Sequence, residues 1–357
     1  MNKLTIDHVI PVSSKELTPK WFTQILKTPI SSVNLQPLGE TDSVTGNIYR
    51  AKLTYKTQTN TKPASVIVKI PYPIKNRLQI LTTMHEREIN FYNILAPKMN
   101  LKIPKALYSN QDKDKGSYVL VLEDFPHHTP GKNTPGATLQ QSYLLLDQMA
   151  KLHAYWWENP ILSEYKFLGS LEEYIKRCTS TLPSCLPRFL RRFGSDIHPD
   201  EYSVFEALPE RFNEIASPLL DAPQTLVHHD LTLKNTLIHE DNQEIVIIDW
   251  QLAYWNTGVR DVSFYVEHSV SPLIRSEHEK DFLRYYWKRL CEEGVCDYPF
   301  ESLFDHYRRS VFCDLGRIVM IGGTEGEKGE VISSILRHGI LGRTGSAKEL
   351  ELNSFLN

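Results

Sequence analysis

Two short apolar runs near residue 240 constrain the fold of this chain more than any other feature. Thr236–Ile238 and Ile245–Ile248 are separated by a polar turn and lie in a half of the chain whose other patterns are mostly helical. Short runs with such a connection predict an antiparallel hairpin. Asn235 enters this hairpin and Asp249 leaves it, so pairing would bring both to the same end, with Asp230 on the loop just before them.

This set of oxygen atoms indicates a class of chemistry. Carboxylate and amide oxygens are the ligands that a hard cation such as Mg²⁺ prefers in proteins. They also suit phosphoryl transfer, in which a carboxylate positions the acceptor hydroxyl and a metal ion neutralises phosphate charge. We therefore expect a metal and phosphate site around Asp230, Asn235 and Asp249.

The first 125 residues are rich in strand patterns. Asn47–Tyr55, Ala64–Ile70 and Ser117–Leu122 predict strands, and Asn76–Leu95 predicts the one helix of this region. The segment Pro126–Ala137 is rich in proline and glycine, which favours a connection between two domains. We expect a nucleotide-binding lobe over residues 1–125 and a catalytic and substrate-binding lobe over residues 126–357.

The second part of the chain has mostly helical patterns. Thr138 is a candidate N-cap for a helix that runs to Trp157. Helical patterning also covers residues 277–293, 299–321 and 327–340. Between residues 170 and 220 we expect helices that are broken by prolines, at Pro183, Pro187, Pro199 and Pro209.

The motifs around the hairpin resemble those of a known group of enzymes. HHDLTLKN followed by IIDWQ is similar to the HxDxxxxN and ID[FW] motifs of the aminoglycoside phosphotransferase and choline kinase group, and closest to its ecdysteroid kinase-like branch. The resemblance implies an α+β, bilobal, protein-kinase-like fold with a small β-rich lobe and a larger helical lobe. It also implies that Asp230 is the catalytic base and that Asn235 and Asp249 bind metal. By the same resemblance, Asp261 is the buried aspartate that braces the catalytic loop, and His229 stands where the family commonly has glycine.

The resemblance extends to the first lobe. Lys69 on a predicted strand would face the α- and β-phosphates, and Glu88 on the following helix would pair with it. Gly39 and Gly46 lie in a segment that would fold over the phosphates. The backbone from Glu123 to Phe125 would form the hinge that contacts adenine.

Composition excludes several other classes of protein. Among the 357 residues, 40 Lys and Arg stand against 43 Asp and Glu, which argues against a nucleic-acid-binding surface. No apolar stretch approaches the roughly 20 residues that span a bilayer. The five cysteines form no CxxC pair, which favours reduced thiols in a cytoplasmic protein. The sequence does not predict an oligomeric state.

We therefore expect an ATP-dependent (or GTP-dependent) kinase that uses Mg²⁺ and phosphorylates a small-molecule alcohol. The stretch Glu267–Glu293 has six acids and five bases, and this balance, with many nearby aromatic residues, favours a neutral, apolar acceptor over a polycation. An aminoglycoside or choline kinase and a catalytically silent nucleotide-binding protein remain alternatives. A non-haem iron site built on His228, Asp230 and His268 conflicts with the helical pattern after Asp261.

Several other polar residues have simpler interpretations. His153 is expected to pack within its helix, and His228 to stabilise the loop before Asp230. The cluster Arg188, Arg191 and Arg192 is expected on the exposed side of a helix.

Overall fold

The structure is a computed structural model that describes residues 10–38, 46–57, 61–71, 79–239, 241, 243–324, 330–342 and 345–356. These residues fall into two compact units. The first unit comprises Met1–His128 and Ile248–Gln251, and the second comprises Thr129–Ile247 and Leu252–Asn357. No helix in the described ranges has the length and apolar content needed to cross a membrane.

The first unit is built on an antiparallel sheet. Its five described strands are β1 (Ile30–Leu38), β2 (Gly46–Tyr55), β3 (Ser65–Pro71), β4 (Ala106–Asp112) and β5 (Ser117–Glu123). They lie in the order β1-β2-β3-β5-β4, and every neighbouring pair is antiparallel. The three strands predicted from alternation and β-branched content, β2, β3 and β5, are confirmed.

The two faces of β3 have different environments. Val66, Val68 and Ile70 are fully buried in the apolar core of this unit. Because side chains alternate along a strand, Lys69 points to the opposite face. The alternation of this strand therefore directs one ammonium group away from the apolar core.

A second helix in this region corrects the prediction of one helix. Helix α1 (Pro19–Leu26) begins at the N-cap Thr18, whose side chain accepts a hydrogen bond from Trp21 N, and has proline in its first turn. Phe22 and Ile25 bury its apolar face in the same core as Val68. The helix has only eight residues, too short for its periodicity to be distinctive.

Helix α2 (Gln79–Asn90) is the predicted helix, and a π-helical turn extends it over Phe91–Leu95. The ring of Phe91 stacks on Trp250 with centroids 3.9 Å apart. Glu88, near the end of α2, is 2% exposed. This helix therefore brings a buried carboxylate to the first unit.

The second unit is mostly helical. Its helices are α3 (Leu139–Tyr155), α4 (Leu171–Phe193), α5 (Tyr202–Ala216), α6 (Val259–Ser269), α7 (Pro272–Glu292), α8 (Phe300–Gly323), α9 (Glu330–Gly342) and the short α10 (Ser346–Glu349). Thr138 caps α3 in a capping box with Gln141, as its sequence predicts. All residues of α6 are buried, which makes it the central helix of this unit.

Short strands accompany these helices. They are β6 (Thr129–Pro130), β7 (Gly169–Ser170), β8 (Thr225–Val227), β9 (Thr236–His239), β10 (Glu244–Ile247) and β11 (Tyr254–Asn256). The strands β9 and β10 form the predicted antiparallel hairpin, with Thr236 opposite Ile247. Strand β8 ends at Val227, because the N–H groups of His228 and His229 donate to the carboxylate of Asp261.

Prolines do not break the helices as predicted. Helix α4 runs through Pro183 and Pro187, and α5 runs through Pro209. Pro199 alone among the four stands at the start of an element, a short 3₁₀ turn. Each helix presents a continuous apolar face to the core, and this burial outweighs the local cost of proline.

Two of the three clustered arginines are not on the exposed side of α4. Arg188 donates to the carbonyl of Gly323 at 2.6 Å, and Arg192 donates to those of Gly322 and Thr324 at 2.7 and 2.9 Å. They cap the carboxyl end of α8, where carbonyl groups lack helical partners. Only Arg191 is exposed, as predicted for all three.

Candidate active site

The first unit places two carboxylates around one ammonium. Lys69 Nζ lies 2.5 Å from Glu88 Oε1 and 2.9 Å from Asp249 Oδ1. The side chains of Lys69 and Glu88 are 12% and 2% exposed. The structure therefore forms the Lys69–Glu88 pair that the sequence predicts, and adds Asp249 to it.

Burial and charge compete at this cluster. Burial alone would lower the pKa of Lys69, but the carboxylates of Asp249 and Glu88 hold that pKa well above its usual value. Burial raises the pKa of Glu88 to about 6, and Lys69 opposes this increase. Near neutral pH the ammonium is therefore charged and held in place by carboxylates on both sides.

The predicted hinge is fixed through the residue at its centre. Asp124, between Glu123 and Phe125, accepts two hydrogen bonds from Arg50 at 2.8 and 3.1 Å and one from Ser65 at 2.5 Å. The N–H of Glu123 donates to Lys105 O, and Phe125 is 8% exposed. No motif in the sequence indicated this role of Asp124, although a charge next to the end of a buried strand is a usable signal.

Of the two predicted phosphate-loop glycines, Gly46 lies among the described residues. Gly39 lies outside the described residues. Gly46 opens β2 opposite Pro71, and a Cβ atom there would lie 2.4 Å from Ile70 O. A close approach of two strands therefore requires glycine at position 46.

In the second unit, Asp261 braces the loop before Asp230. Its carboxylate is fully buried and accepts hydrogen bonds from the backbone N–H groups of His228 and His229, both at 2.7 Å. His228 Nδ1 in turn accepts from Asp230 N at 3.2 Å. The predicted roles of Asp261 and His228 as supports of this loop are confirmed.

His229 has a backbone conformation that favours glycine. Its φ angle is 65°, in the left-handed region that costs most L-residues about 1 kcal/mol or more. The imidazole stacks on Tyr254 with centroids 4.3 Å apart and contacts the ring of Tyr174 edge-on at 5.5 Å. These ring contacts explain how the chain keeps the loop conformation with histidine in place of glycine.

Both carboxylate oxygens of Asp230 have a partner. Asn235 Nδ2 donates to Asp230 Oδ2 at 3.1 Å and to its carbonyl at 2.8 Å. Arg317 Nη2 donates to Asp230 Oδ1 at 2.6 Å, and Arg317 Nη1 donates to the carbonyl of His229 at 2.6 Å. The carboxylate is thus held in one orientation by an amide on one side and a guanidinium on the other.

The two predicted metal ligands each have the kind of atom that a hard cation binds. In the second unit, Asn235 donates through Nδ2, so its amide oxygen Oδ1 is the atom that could serve as a ligand. In the first unit, Asp249 has a carboxylate whose Oδ2 accepts from Gln251 at 3.3 Å. Amide and carboxylate oxygens are the ligands that Mg²⁺ takes alongside phosphate oxygens and water.

Arg317 was missed by the sequence analysis. It lies 87 residues after Asp230, so no local motif joins them. One signal was present: Asp314 and Arg317 interrupt the apolar run VFCDLGRIVMIGG in α8. Charged residues inside such a run are rarely buried without a partner.

The remaining predicted residues lie in packed surroundings. His153 is buried and contacts Tyr286 Oη at 2.8 Å and Asp261 Oδ2 at 3.4 Å, which confirms it as a packed histidine. His268 contacts the carbonyl of Phe264 at 2.9 Å. The aromatic residues invoked for an acceptor pocket are partly core, since Trp156, Trp250, Tyr254, Tyr265 and Tyr286 are buried.

The acid and base balance over residues 267–293 also does not describe a surface. Glu267, Arg275 and Glu279 are buried, and Arg275 pairs with Glu279 at 3.5 Å. The charge balance of this stretch therefore no longer supports the predicted preference for a neutral acceptor.

Solved structures show the same fold at low sequence identity. An ethanolamine kinase from Plasmodium vivax is 13% identical, with a TM-score of 0.58 over 94% of this chain and 89% of that chain. A choline kinase from Streptococcus pneumoniae is 15% identical, with a TM-score of 0.53 over 93% and 99%. A Ralstonia eutropha protein provisionally described as an aminoglycoside phosphotransferase is 15% identical, with a TM-score of 0.55 over 92% and 97%. The predicted α+β kinase-like fold is confirmed.

Sequence comparison identifies the family. A search of curated proteins gives no match. The model of the ecdysteroid kinase-like family matches residues 40–294, which is more than half of the 357 residues. This range contains Lys69, Glu88, Asp230, Asn235 and Asp249. The chain belongs to the ecdysteroid kinase-like family.

Proposed function

We propose that this protein is a kinase that transfers the γ-phosphoryl group of ATP to a hydroxyl group of a small molecule. The observation that carries the proposal is the largely buried ammonium of Lys69, held 2.5 Å from Glu88 and 2.9 Å from Asp249. A buried lysine with a carboxylate partner on a helix is the arrangement that holds nucleotide phosphates in kinases. The ethanolamine and choline kinases of the same fold support the same class of reaction.

Each residue has one role in this proposal. Lys69, fixed by Glu88, binds the α- and β-phosphates. Asp230 orients the acceptor hydroxyl and accepts its proton as the new bond to phosphorus forms. Asn235 and Asp249 would each supply an oxygen ligand to Mg²⁺, which would neutralise phosphate charge when bound. The hinge from Glu123 to Phe125 contacts adenine, and Gly46 borders the phosphates.

In this reaction the protein mainly positions the reactants and takes little part in covalent chemistry. Transfer of a phosphoryl group through a loose transition state depends on alignment and on electrostatic stabilisation. The hydrogen bonds that Asp261 accepts from the backbone N–H groups of His228 and His229 hold the loop that carries Asp230. We expect such a fixed loop around Asp230, because its carboxylate must align the acceptor hydroxyl.

Nucleotide binding provides the first test, with a control lysine whose carboxylate partner lies on the same helix as Glu88. Lys69→Met should weaken Mg·ATP binding in calorimetry about tenfold or more, because a charge-assisted contact to phosphate is lost. Lys113 makes an ion pair of equal length, 2.5 Å, with Glu86 of α2, but this lysine is 59% exposed. Lys113→Met should therefore leave binding unchanged.

Phosphoryl transfer provides the second arm. ADP release would be measured with a panel of alcohols, with and without Mg²⁺, for the wild type and for Asp230→Asn. We expect the variant to lose transfer and to keep Mg·ATP binding. Asp305→Asn is the control, because Asp305 also pairs with an arginine at 2.6 Å. Equal effects of Lys69→Met and Lys113→Met, or normal transfer by Asp230→Asn, would contradict the proposal.

A further inference from the structure

Arg317 makes a two-pronged contact with the loop that carries Asp230. One terminal nitrogen donates to the Asp230 carboxylate and the other to the carbonyl of His229, both at 2.6 Å. The guanidinium also lies over the ring of Phe264, 4.4 Å from its centroid. Its side chain is 14% exposed. The planar fork of arginine matches this pair of acceptors in a way that a lysine ammonium does not.

The helix that carries Arg317 is firmly held. One turn earlier, Asp314 pairs with Arg260 of α6 at 2.8 Å, and Ser263 of the same helix donates to it at 2.9 Å. The neighbouring Gly316 packs so closely that a Cβ atom there would lie 2.4 Å from the ring of Phe212. Arg317 is therefore presented from a fixed backbone and is not a mobile surface side chain.

The pairing has two physical consequences for Asp230. The first is orientation, because Arg317 fixes Oδ1 while Asn235 fixes Oδ2. A carboxylate held at both oxygens offers its remaining lone pairs in one direction, which favours a single alignment of the acceptor hydroxyl.

The second consequence is electrostatic. Asp230 alone would attract a cationic acceptor, since a carboxylate and an ammonium a few ångströms apart interact strongly at a partly buried site. Among the described residues, Arg317 is the cation that hydrogen-bonds Asp230, and its charge cancels that of the carboxylate. A positive group close to the reacting hydroxyl therefore gains no net attraction from this pair.

We propose that Arg317 is a positioning residue that fixes Asp230 and, by cancelling its charge, selects an acceptor alcohol that has no positive charge near its hydroxyl. The inference rests on the proposed kinase activity. It names the acceptor class by charge, as neutral or anionic alcohols, and it depends on contacts that the family motifs do not include.

The test uses two substitutions that separate orientation from charge. Arg317→Lys keeps the charge but cannot hold both acceptors, and Arg317→Gln removes the charge as well. The control is Arg309→Gln, eight positions earlier on the same helix. Arg309 also bonds one carboxylate and one carbonyl, those of Asp305 and Ile215, at 2.6 and 3.0 Å.

The effect of Arg317 on the orientation of Asp230 is measured by phosphoryl transfer to water. Mg·ATP hydrolysis without an alcohol should fall about 100-fold in Arg317→Gln and by a smaller factor in Arg317→Lys. The dissociation constant of Mg·ATP should not change in either variant. Arg309→Gln should hydrolyse ATP as the wild type does. A purely structural role of Arg317 would instead lower hydrolysis and nucleotide binding together.

Charge selection is read from a pair of alcohols of equal shape. Choline and 3,3-dimethylbutan-1-ol differ in one atom, a quaternary nitrogen in place of a carbon. The wild type should prefer the neutral alcohol in kcat/KM. The ratio of kcat/KM for choline to kcat/KM for the neutral alcohol should rise about tenfold or more in Arg317→Gln. This ratio should stay unchanged in Arg317→Lys and Arg309→Gln. If neither alcohol is phosphorylated, the same ratio is taken from their inhibition constants against ATP hydrolysis.

The outcomes separate this inference from the proposed function. A wild-type protein that neither binds Mg·ATP nor releases ADP would refute the kinase activity, and the role of Arg317 with it. An active wild type whose choline preference is equal in Arg317→Gln and Arg309→Gln would refute the inference alone. A wild type that prefers choline over the neutral alcohol would also refute it.

Discussion

His229 shows how one residue can hold an unfavourable backbone angle in a functional loop. Its φ angle of 65° would suit glycine, yet the imidazole is 5% exposed and stacked on Tyr254. The sequence indicated an unusual residue at this position but not the aromatic contacts, because Tyr174 and Tyr254 come from distant parts of the chain. Strain of this kind persists where surrounding contacts outweigh it.

Two substitutions at position 229 should separate strain from stacking. His229→Ala loses the ring contacts and keeps the left-handed strain, whereas His229→Gly loses the contacts and relieves the strain. We therefore expect the alanine variant to be the less stable of the two, by about 1 kcal/mol in urea unfolding. An alanine variant as stable as the glycine variant would show that the loop changes its backbone conformation when the ring is removed.

At the scale of elements, local patterns predicted the pieces that depend on neighbours in sequence. The hairpin of β9 and β10 and the cap of α3 at Thr138 follow from alternation and capping chemistry. The path of α4 through Pro183 did not follow, because its continuity depends on packing. Leu182, Cys185 and Phe189 are buried on one face of α4, and local rules do not include that burial.

Pro183 gives a test of this account of α4. It is exposed in the middle of the helix, so Pro183→Ala restores a backbone donor without removing a core contact. The free energy of unfolding should rise by about 1 kcal/mol or more. Pro160→Ala is the matched control, since Pro160 is also exposed but lies in the first turn of a 3₁₀ helix, where proline is tolerated.

Chemical denaturation of the wild type and both variants would decide the matter. We expect a gain for Pro183→Ala and none for Pro160→Ala. A loss of stability in Pro183→Ala would mean that the packing of α4 requires the bend that proline introduces.

At the scale of the whole molecule, a network of charges centred on the buried Arg275 and Glu279 joins elements that no motif connects. Glu279 of α7 is hydrogen-bonded to Tyr307 of α8 at 2.6 Å and paired with Arg275 at 3.5 Å. Arg275 also pairs with Glu349 of α10 at 2.5 Å. The sequence could not predict this network, because its members are spread over 75 positions, and each resembles a surface charge on its own helix.

This network should make stability depend on pH. Burial raises the pKa of Glu279 to about 7, with Glu267 adding to the shift and Arg275 opposing it. The folded state therefore binds a proton that the unfolded chain, with a pKa near 4.5, has released. The stabilisation is complete below about pH 4.5 and is lost as the pH rises through 7.

Glu279→Gln should remove this dependence, since the amide does not titrate. As the pH rises from 5 to 8, the free energy of unfolding of the variant should increase relative to that of the wild type, on the order of 1 kcal/mol. Glu277→Gln, at an exposed side chain two residues earlier, is the control. Parallel stability curves for the wild type and Glu279→Gln would show that Glu279 is already ionised in the folded protein at low pH.

The division of the chain into units also restricts how this architecture can be inherited. The first unit takes Ile248–Gln251 from a stretch otherwise assigned to the second, and Lys69 meets Asp249 across 180 positions. A gene segment that ends at His128 would therefore encode Lys69 without Asp249 and Phe91 without Trp250. The first unit cannot be exchanged between genes as one contiguous module, so recombination within this family should preserve the chain from the first strand through Gln251 as one inherited block.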